Sequence, residues 1–187
     1  MVTFRFTLDT ACIIAMVKTE SNNPPAEVAA IIRLIDSARD GRIQLQLAVA
    51  YDRDFDRFKA PEGRARQIEW LASAPIAGQR ASGLFIIGVS VIDGPDVISS
   101  DEDAELYDAI RTIVETGFDG AALADEHAWR LAKRTSDADH LIAHSRSGAD
   151  AFVTLDDSTI LIHRDALGQL NVAVCWPSEA FAIFEAP

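Results

Sequence analysis

Aspartates stand where apolar runs of this chain end. Asp9 follows Val2, Phe4, Phe6 and Leu8, which alternate at period two. Asp156 and Asp157 follow the apolar run Ala151 to Leu155. Between them, Asp137 and Asp139 sit in what reads as the first turn of a helix capped by Ser136. In an open parallel sheet the working residues gather beyond the carboxyl ends of the strands, so these carboxylates are expected to meet. Like charges held close destabilise one another unless a cation neutralises them or one takes up a proton. Aspartate oxygens with no thiolate nearby favour a hard cation, Mg2+ or Mn2+. Such ions serve phosphoryl chemistry by orienting water, stabilising charged oxygens and holding the leaving group. A single Asp after a strand usually caps a turn. Recurrence at three places is what points to a metal.

Other side chains join them. Thr10 and Thr154 can position a water or phosphate through their hydroxyls, or simply satisfy strand ends. Asp157 can assist a metal or cap the following helix. His140 and His144 stand four apart, a spacing that can hold Zn2+, but no further His or Cys completes that set. Arg53, Arg57 and Lys59 suit contact with a phosphate backbone, or pairing with Asp52, Asp54 and Asp56 on a helix surface. Trp70, Trp129 and Trp176 read as packing residues.

The elements that must position these groups follow from the hydrophobic pattern. Strands are expected at 2–8, 42–50, 84–92, 151–155 and 170–174. Helices are expected from Thr10 to Val17, from Pro25 to about Ser37, at 61–73 opened by Pro61, at 101–116 capped near Ser99 or Ser100, at 121–134, at 137–147, and at 158–167 stopped by Gly168. A last turn opens at Pro177. Strands alternating with helices predict an α/β fold, an open parallel sheet with helices on both faces.

Length and charge narrow the function classes. The chain has 187 residues, 49% hydrophobic and 25% charged, enough for one domain with a real core. No apolar run approaches a membrane span, the start does not read as a secretory signal, and two cysteines make no disulfide framework. A cytoplasmic protein without membrane attachment is expected. A net charge of −12 argues against general nucleic-acid binding. That charge is concentrated, however. Residues 93–126 hold eleven acids and one base, while the rest of the chain has 18 acids and 16 bases. The acidic run is expected to be a solvated helix face.

The same residues carry a resemblance. Phe6-Thr7-Leu8-Asp9-Thr10, Asp139-His140-Leu141-Ile142-Ala143, Val153-Thr154-Leu155-Asp156 and Trp176-Pro177-Ser178-Glu179 resemble, in order and spacing, the motifs of the PIN domain family. The match covers the first 20 residues and about 135–187. It implies a three-layer α/β/α fold and a metal-dependent ribonuclease, many relatives being toxins of toxin–antitoxin pairs. By resemblance Asp9, Asp139 and Asp156 are the acids that bind Mg2+ or Mn2+. The family also places an acid, usually Glu, at the helix after the second strand. No Glu stands near Ala48, and Asp54, with Asp52 beside it, is the available acid. The resemblance thus gives Asp9, Asp139, Asp156 and Asp54 as catalytic and Thr10, Thr154, Arg53 and Arg57 as contacts to an RNA substrate. An antitoxin or other protein partner and a homodimer fit the same reading. One domain over 1–187 is expected, with an unrecognised section at about 60–125.

Two other readings compete. A catalytically degenerate module that binds protein or RNA is favoured by the missing Glu and the acidic central section. A receiver-type phosphate-transfer domain expects paired acids after the first strand and a later Lys. Here Asp9 is single and no Lys follows Lys133.

Overall fold

The computed structural model describes residues 3–18, 23–48, 50–57, 61–76, 81–82, 100–116 and 124–185; for 52–53, 56–57 and 124–132 it describes the backbone alone. Strands β1 (Phe4–Leu8), β2 (Ile43–Leu47), β3 (Ala151–Val153) and β4 (Val174–Cys175) form an all-parallel sheet in the order β2-β1-β3-β4. Phe6 lies opposite Leu45 on one side and Ala151 on the other. The helices are α1 (Thr10–Val17), α2 (Pro25–Arg39), α3 (Ala50–Arg57), α4 (Pro61–Ser73), α5 (Asp101–Val114), α6 (Ala124–Ser147), α7 (Arg164–Gln169) and α8 (Pro177–Glu185). After α4, Ile76 and Ala81 make parallel bridges to Leu45 and Ala48, which widens the sheet beyond β2.

The period-two pattern of the strands sorts the core onto two faces. Phe6, Leu8, Leu45, Leu47, Ala151 and Val153 pack with Ile13 of α1, Ile31 and Leu34 of α2 and Phe181 of α8. Phe152 points the other way and packs with Ile110 of α5, Leu141 and Ile142 of α6 and Leu167 of α7. Each fully buried Leu, Ile or Phe stabilises the fold by about 1.5–3 kcal/mol. Helices therefore cover both faces of the sheet, in three layers. Among the described residues no helix is long and apolar enough to cross a membrane.

Polar side chains on the α6 face of the sheet fix that helix at its C-terminal end. Thr7 Oγ1 lies 3.0 Å from His144 Nδ1. The Gln46 amide donates to Thr7 Oγ1 at 2.9 Å and to Ser147 Oγ at 2.6 Å. Gly148, at φ +63°, ends α6, and its carbonyl accepts from Arg5 Nη2 at 2.9 Å. Only glycine adopts that φ without strain. Burial pushes the His144 imidazole down to about 4, so it is neutral in the native state. An unfolded histidine takes up its proton near pH 6.5. Stability is therefore expected to fall as pH drops from about 6.5 to about 4, by roughly 1.4 kcal/mol per pH unit and about 3 kcal/mol in all. Acid melts of wild type and His144→Gln check this: the variant should lose less stability across that window. Parallel losses in the two proteins would contradict the assignment.

Several boundaries differ from expectation. The two helices expected at 121–134 and 137–147 are one continuous helix, α6. Ser136 does not cap; it is buried in mid-helix, and its hydroxyl donates to Asp54 Oδ1 at 2.6 Å. The segment after β3 is helical only from Arg164, following a 3-10 turn over Leu161–His163. Asp156 Oδ1 holds the backbone N–H groups of Ser158 and Thr159 in a tight turn instead. The last strand is Val174–Cys175, and Pro177 opens a helix, α8. Ser100 does cap α5: its hydroxyl accepts from Asp103 N at 3.1 Å while the Asp103 carboxylate accepts from Ser100 N. Asp101, Glu102, Glu105 and Asp108 form the exposed face of that helix. The strand expected at 84–92 lies outside the described residues.

Candidate functional site

The strand order places β1 and β3 side by side at the point where the crossovers change direction, and ligands bind there in open α/β sheets. Asp9 and Asp156 follow these two strands. Thr154 links them: its hydroxyl donates to Asp9 Oδ2 at 2.5 Å and accepts from Asp156 N at 3.0 Å. Asp9 N in turn donates to the Val153 carbonyl at 2.9 Å. Asp9 is only 6% exposed. Burial raises its carboxyl above the ordinary aspartate value; the nearby His140 and the Thr154 bond pull it down, and Asp156 and Asp54 push it up.

Helix α6 supplies the other wall. Lys133 Nζ lies 2.6 Å from Asp156 Oδ2, 3.1 Å from Thr159 Oγ1 and 3.9 Å from Asp137 Oδ2. Burial raises the Asp156 carboxyl, but the Lys133 bond and charge together with the Ser158 and Thr159 bonds outweigh it and hold the group below the usual range. Asp137 is pushed up to about 7, chiefly by burial, with Lys133 pulling it down and Asp9 and Asp156 pushing it further up. Its Oδ2 is buried without a hydrogen-bond partner among the described residues. His140, one turn further along, is 1% exposed, and its Nε2 lies 2.9 Å from Asp54 Oδ2. Burial lowers the basicity of that imidazole, yet the Asp54 bond and the charges of Asp54, Asp9 and Asp137 win and raise it.

Asp54 comes from α3, beyond β2. Thr10 Oγ1 donates to its Oδ2 at 3.2 Å, and Ser136 donates to its Oδ1. Burial pushes Asp54 up, but His140, Ser136 and Thr10 together hold it below the usual carboxylate range. It therefore stays ionised and locks α3 and α1 onto α6.

The residues expected from the sequence thus divide. Asp9, Asp54, Asp156, Thr10 and Thr154 converge. Asp139 is also buried, at 3% exposure. At about 100° per residue it projects roughly 160° round α6 from Asp137 and about 100° from His140. The face turned to Asp9 and Asp156 carries Lys133, Asp137 and His140. Asp157 is exposed. The side chains of Arg53, Arg57 and Trp129 lie outside the described residues, as does Lys59. Trp70 and Trp176 pack against the core. His140 and His144 do not form a zinc pair: one meets Asp54 and the other Thr7. Sequence reading missed Lys133 and Ser136 as site residues. Lys133 and Asp137 carried a signal, the i,i+4 spacing that places opposite charges together on a helix.

Among the described residues no three carboxylate, imidazole or thiolate groups stand close enough together to hold a metal ion as they are arranged. Lys133, Thr154 and His140 stand between the acids. No protein-family profile matches the chain, and no curated protein matches it.

Proposed function

We propose that this chain is a metal-dependent ribonuclease whose site lies at the carboxyl ends of β1 and β3. The observation that carries the reading is the convergence of Asp9, Asp156 and Asp137 from three separate elements, with the buried Asp137 Oδ2 lacking a hydrogen-bond donor among the described residues. A buried carboxylate oxygen without a donor is costly, and hard oxygen donors suit Mg2+ or Mn2+. The oxygen donors present suit such an ion in type, and would have to draw closer together than they stand to hold it. Asp9, Asp156 and Asp137 would hold it, with Asp137 in place of Asp139 from the same helix.

When bound, the ion supplies charge neutralisation at a phosphodiester and activation of water. The chain's own residues set the stage. Thr154 fixes the Asp9 carboxylate and ties it to the backbone of Asp156, so two ligands from neighbouring strands move as one. His140 and Ser136 orient Asp54, whose charge sits behind Thr10. Among the described residues of the site the groups are carboxylates, hydroxyls, a lysine and an imidazole, mostly engaged with one another, which suits hydrolysis by water without a covalent intermediate. RNA is the substrate implied by the PIN resemblance, and a protein partner of antitoxin type and a homodimer belong to the same proposal.

A second reading, a non-catalytic module that binds a partner, is favoured by how fully the chain satisfies its own acids. Asp156 has Lys133, and Asp54 has His140, Ser136 and Thr10. One experiment separates the two readings. Wild-type protein is melted in EDTA, then with Mn2+ and Mg2+, and incubated with single-stranded RNA under the same conditions. A ligand that binds only the native state at 100 times its Kd stabilises it by about 2.7 kcal/mol. The nuclease reading expects a melting temperature raised by several degrees, and RNA cleavage that EDTA stops. No shift and no cleavage would leave the binding module.

A further inference from the structure

We propose that Lys133 is the resident counter-ion of this carboxylate cluster and that a divalent cation must displace it, so that one side chain sets the affinity of the site for its metal. The inference rests on the metal reading above. It comes from which oxygen of Asp156 is left to face an ion. Asp156 Oδ1 is engaged three times within its own turn, by Ser158 N at 3.1 Å, Ser158 Oγ at 2.9 Å and Thr159 N at 2.8 Å. Oδ2 is the oxygen turned toward α6, and Lys133 Nζ occupies it at 2.6 Å. Mg2+ sits about 2.0–2.1 Å from its oxygen ligands. An ion on Oδ2 and an ammonium on the same oxygen would crowd and repel each other.

Asp137 makes the same point from the other side. Its Oδ2 stands 3.9 Å from Nζ, near enough to feel the charge and too far for a hydrogen bond. The ammonium therefore serves Asp156 well and Asp137 poorly, and Asp9 lies within its field. A divalent ion carries twice the charge and takes several oxygens at once. Lys133 is also able to leave. Its side chain is 39% exposed, and a lysine is a point charge on a flexible stem. The displaced ammonium moves into solvent.

The test measures Mn2+ binding to the whole chain, by calorimetry and by the spin-resonance signal of free Mn2+, at fixed pH and ionic strength. Lys133→Met and Lys133→Gln are compared with wild type, Lys133→Arg and Arg164→Gln. Arg164 pairs with Glu179 on the exposed far helices, so its loss reports the effect of net charge alone. Both neutral variants at 133 are expected to bind Mn2+ at least about tenfold tighter than wild type, as follows from removing one close like charge near a protein surface. The two arginine controls should stay within about twofold of wild type. An apo melting temperature that falls at Lys133→Met and is restored by Mn2+ supports the same exchange. Equal affinities in wild type and both neutral variants, tightening of Arg164→Gln to the same degree, or a fall in melting temperature that Mn2+ does not restore would each overturn it. Failure of every protein to bind Mn2+ overturns both this inference and the metal reading. Tightening without RNA cleavage by wild type leaves this inference standing and removes the ribonuclease. Unchanged affinity with metal-dependent cleavage does the reverse.

Discussion

If the chain cleaves RNA as proposed, replacing Asp9 with asparagine is expected to cut that cleavage sharply while making the metal-free protein more stable. The two effects have one cause. Asp9 is buried between Thr154, Asp156 and the α6 face, and burial raises its carboxyl above its ordinary value. Its surroundings in the native state therefore disfavour the ionised form. Asparagine keeps the shape and can still accept from Thr154, but it removes the charge. The melting temperature in EDTA should rise. The same charge is what a cation would use, so the stabilisation by Mn2+ should disappear. Cleavage should fall on the order of 10²–10³-fold, the scale of losing one preorganised electrostatic group. Melts with and without Mn2+ and a cleavage time course on the same preparations check all three outcomes. Retained cleavage in a contaminant-free preparation would sink the assignment of Asp9. A variant that melts below wild type in EDTA would sink the electrostatic account of it.

The second large effect concerns stability. Asp54→Ala should cost roughly 3 kcal/mol, the lower end for breaking a buried charge pair by removing one partner. The variant leaves His140, 1% exposed, without its carboxylate and strands the hydroxyl of Ser136. The pH dependence follows from the two shifts. His140 is raised by its partner, so its contribution is complete below about pH 6.5 and is lost as pH climbs through its native value. Asp54 is lowered, so its contribution is complete above about pH 4 and is lost as pH falls through its own native value. The difference between wild type and Asp54→Asn should therefore be greatest near pH 5–6 and shrink on the alkaline side. Chemical denaturation across pH 4–9 measures it. A difference flat across that range, or an Asp54→Ala loss under about 1 kcal/mol, would show that the pair is not coupled in this way.

Much of this arrangement was legible before any coordinates. A period-two run ending in an acid is a local signal, so Asp9 could be placed at the end of β1, and Asp156 beyond β3, from pattern alone. The sheet with helices on both faces followed from the alternation of strand and helix, and the capped start of α5 from Ser100. What the sequence does not show is that α6 runs unbroken through Ser136. A serine followed by two aspartates is the usual mark of a helix start, and here it lies in mid-helix because the Ser136 hydroxyl is used by Asp54 from α3. Asp137 and Asp139 point about 160° apart on any helix, and which of them faces Asp9 and Asp156 is set by contacts the sequence does not show, Lys133 with Asp156 and Ser136 and His140 with Asp54. Lys133 went unread for a related reason. A lysine that bridges a strand end and its own helix looks, in sequence, like any surface base. Its role comes from contacts 23 residues away along the chain.

That continuous helix has a mechanical consequence. Its C-terminal end is pinned to the sheet by His144 and Ser147, while Lys133 stands eleven residues back, about 16 Å along the axis. The candidate site is therefore split between the sheet and a stiff rod held at two places, by His144 and Ser147 at its C-terminal end and by Asp54 on Ser136 and His140 nearer the site. A tilt of about 5° at the C-terminal hold would carry Lys133 and its neighbours by roughly 1.4 Å relative to Asp9 and Asp156, and a misplacement of about 1 Å can cost a catalytic site 10²-fold. Thr7, Gln46 and Ser147 thus share with Asp54 the alignment of groups they never touch.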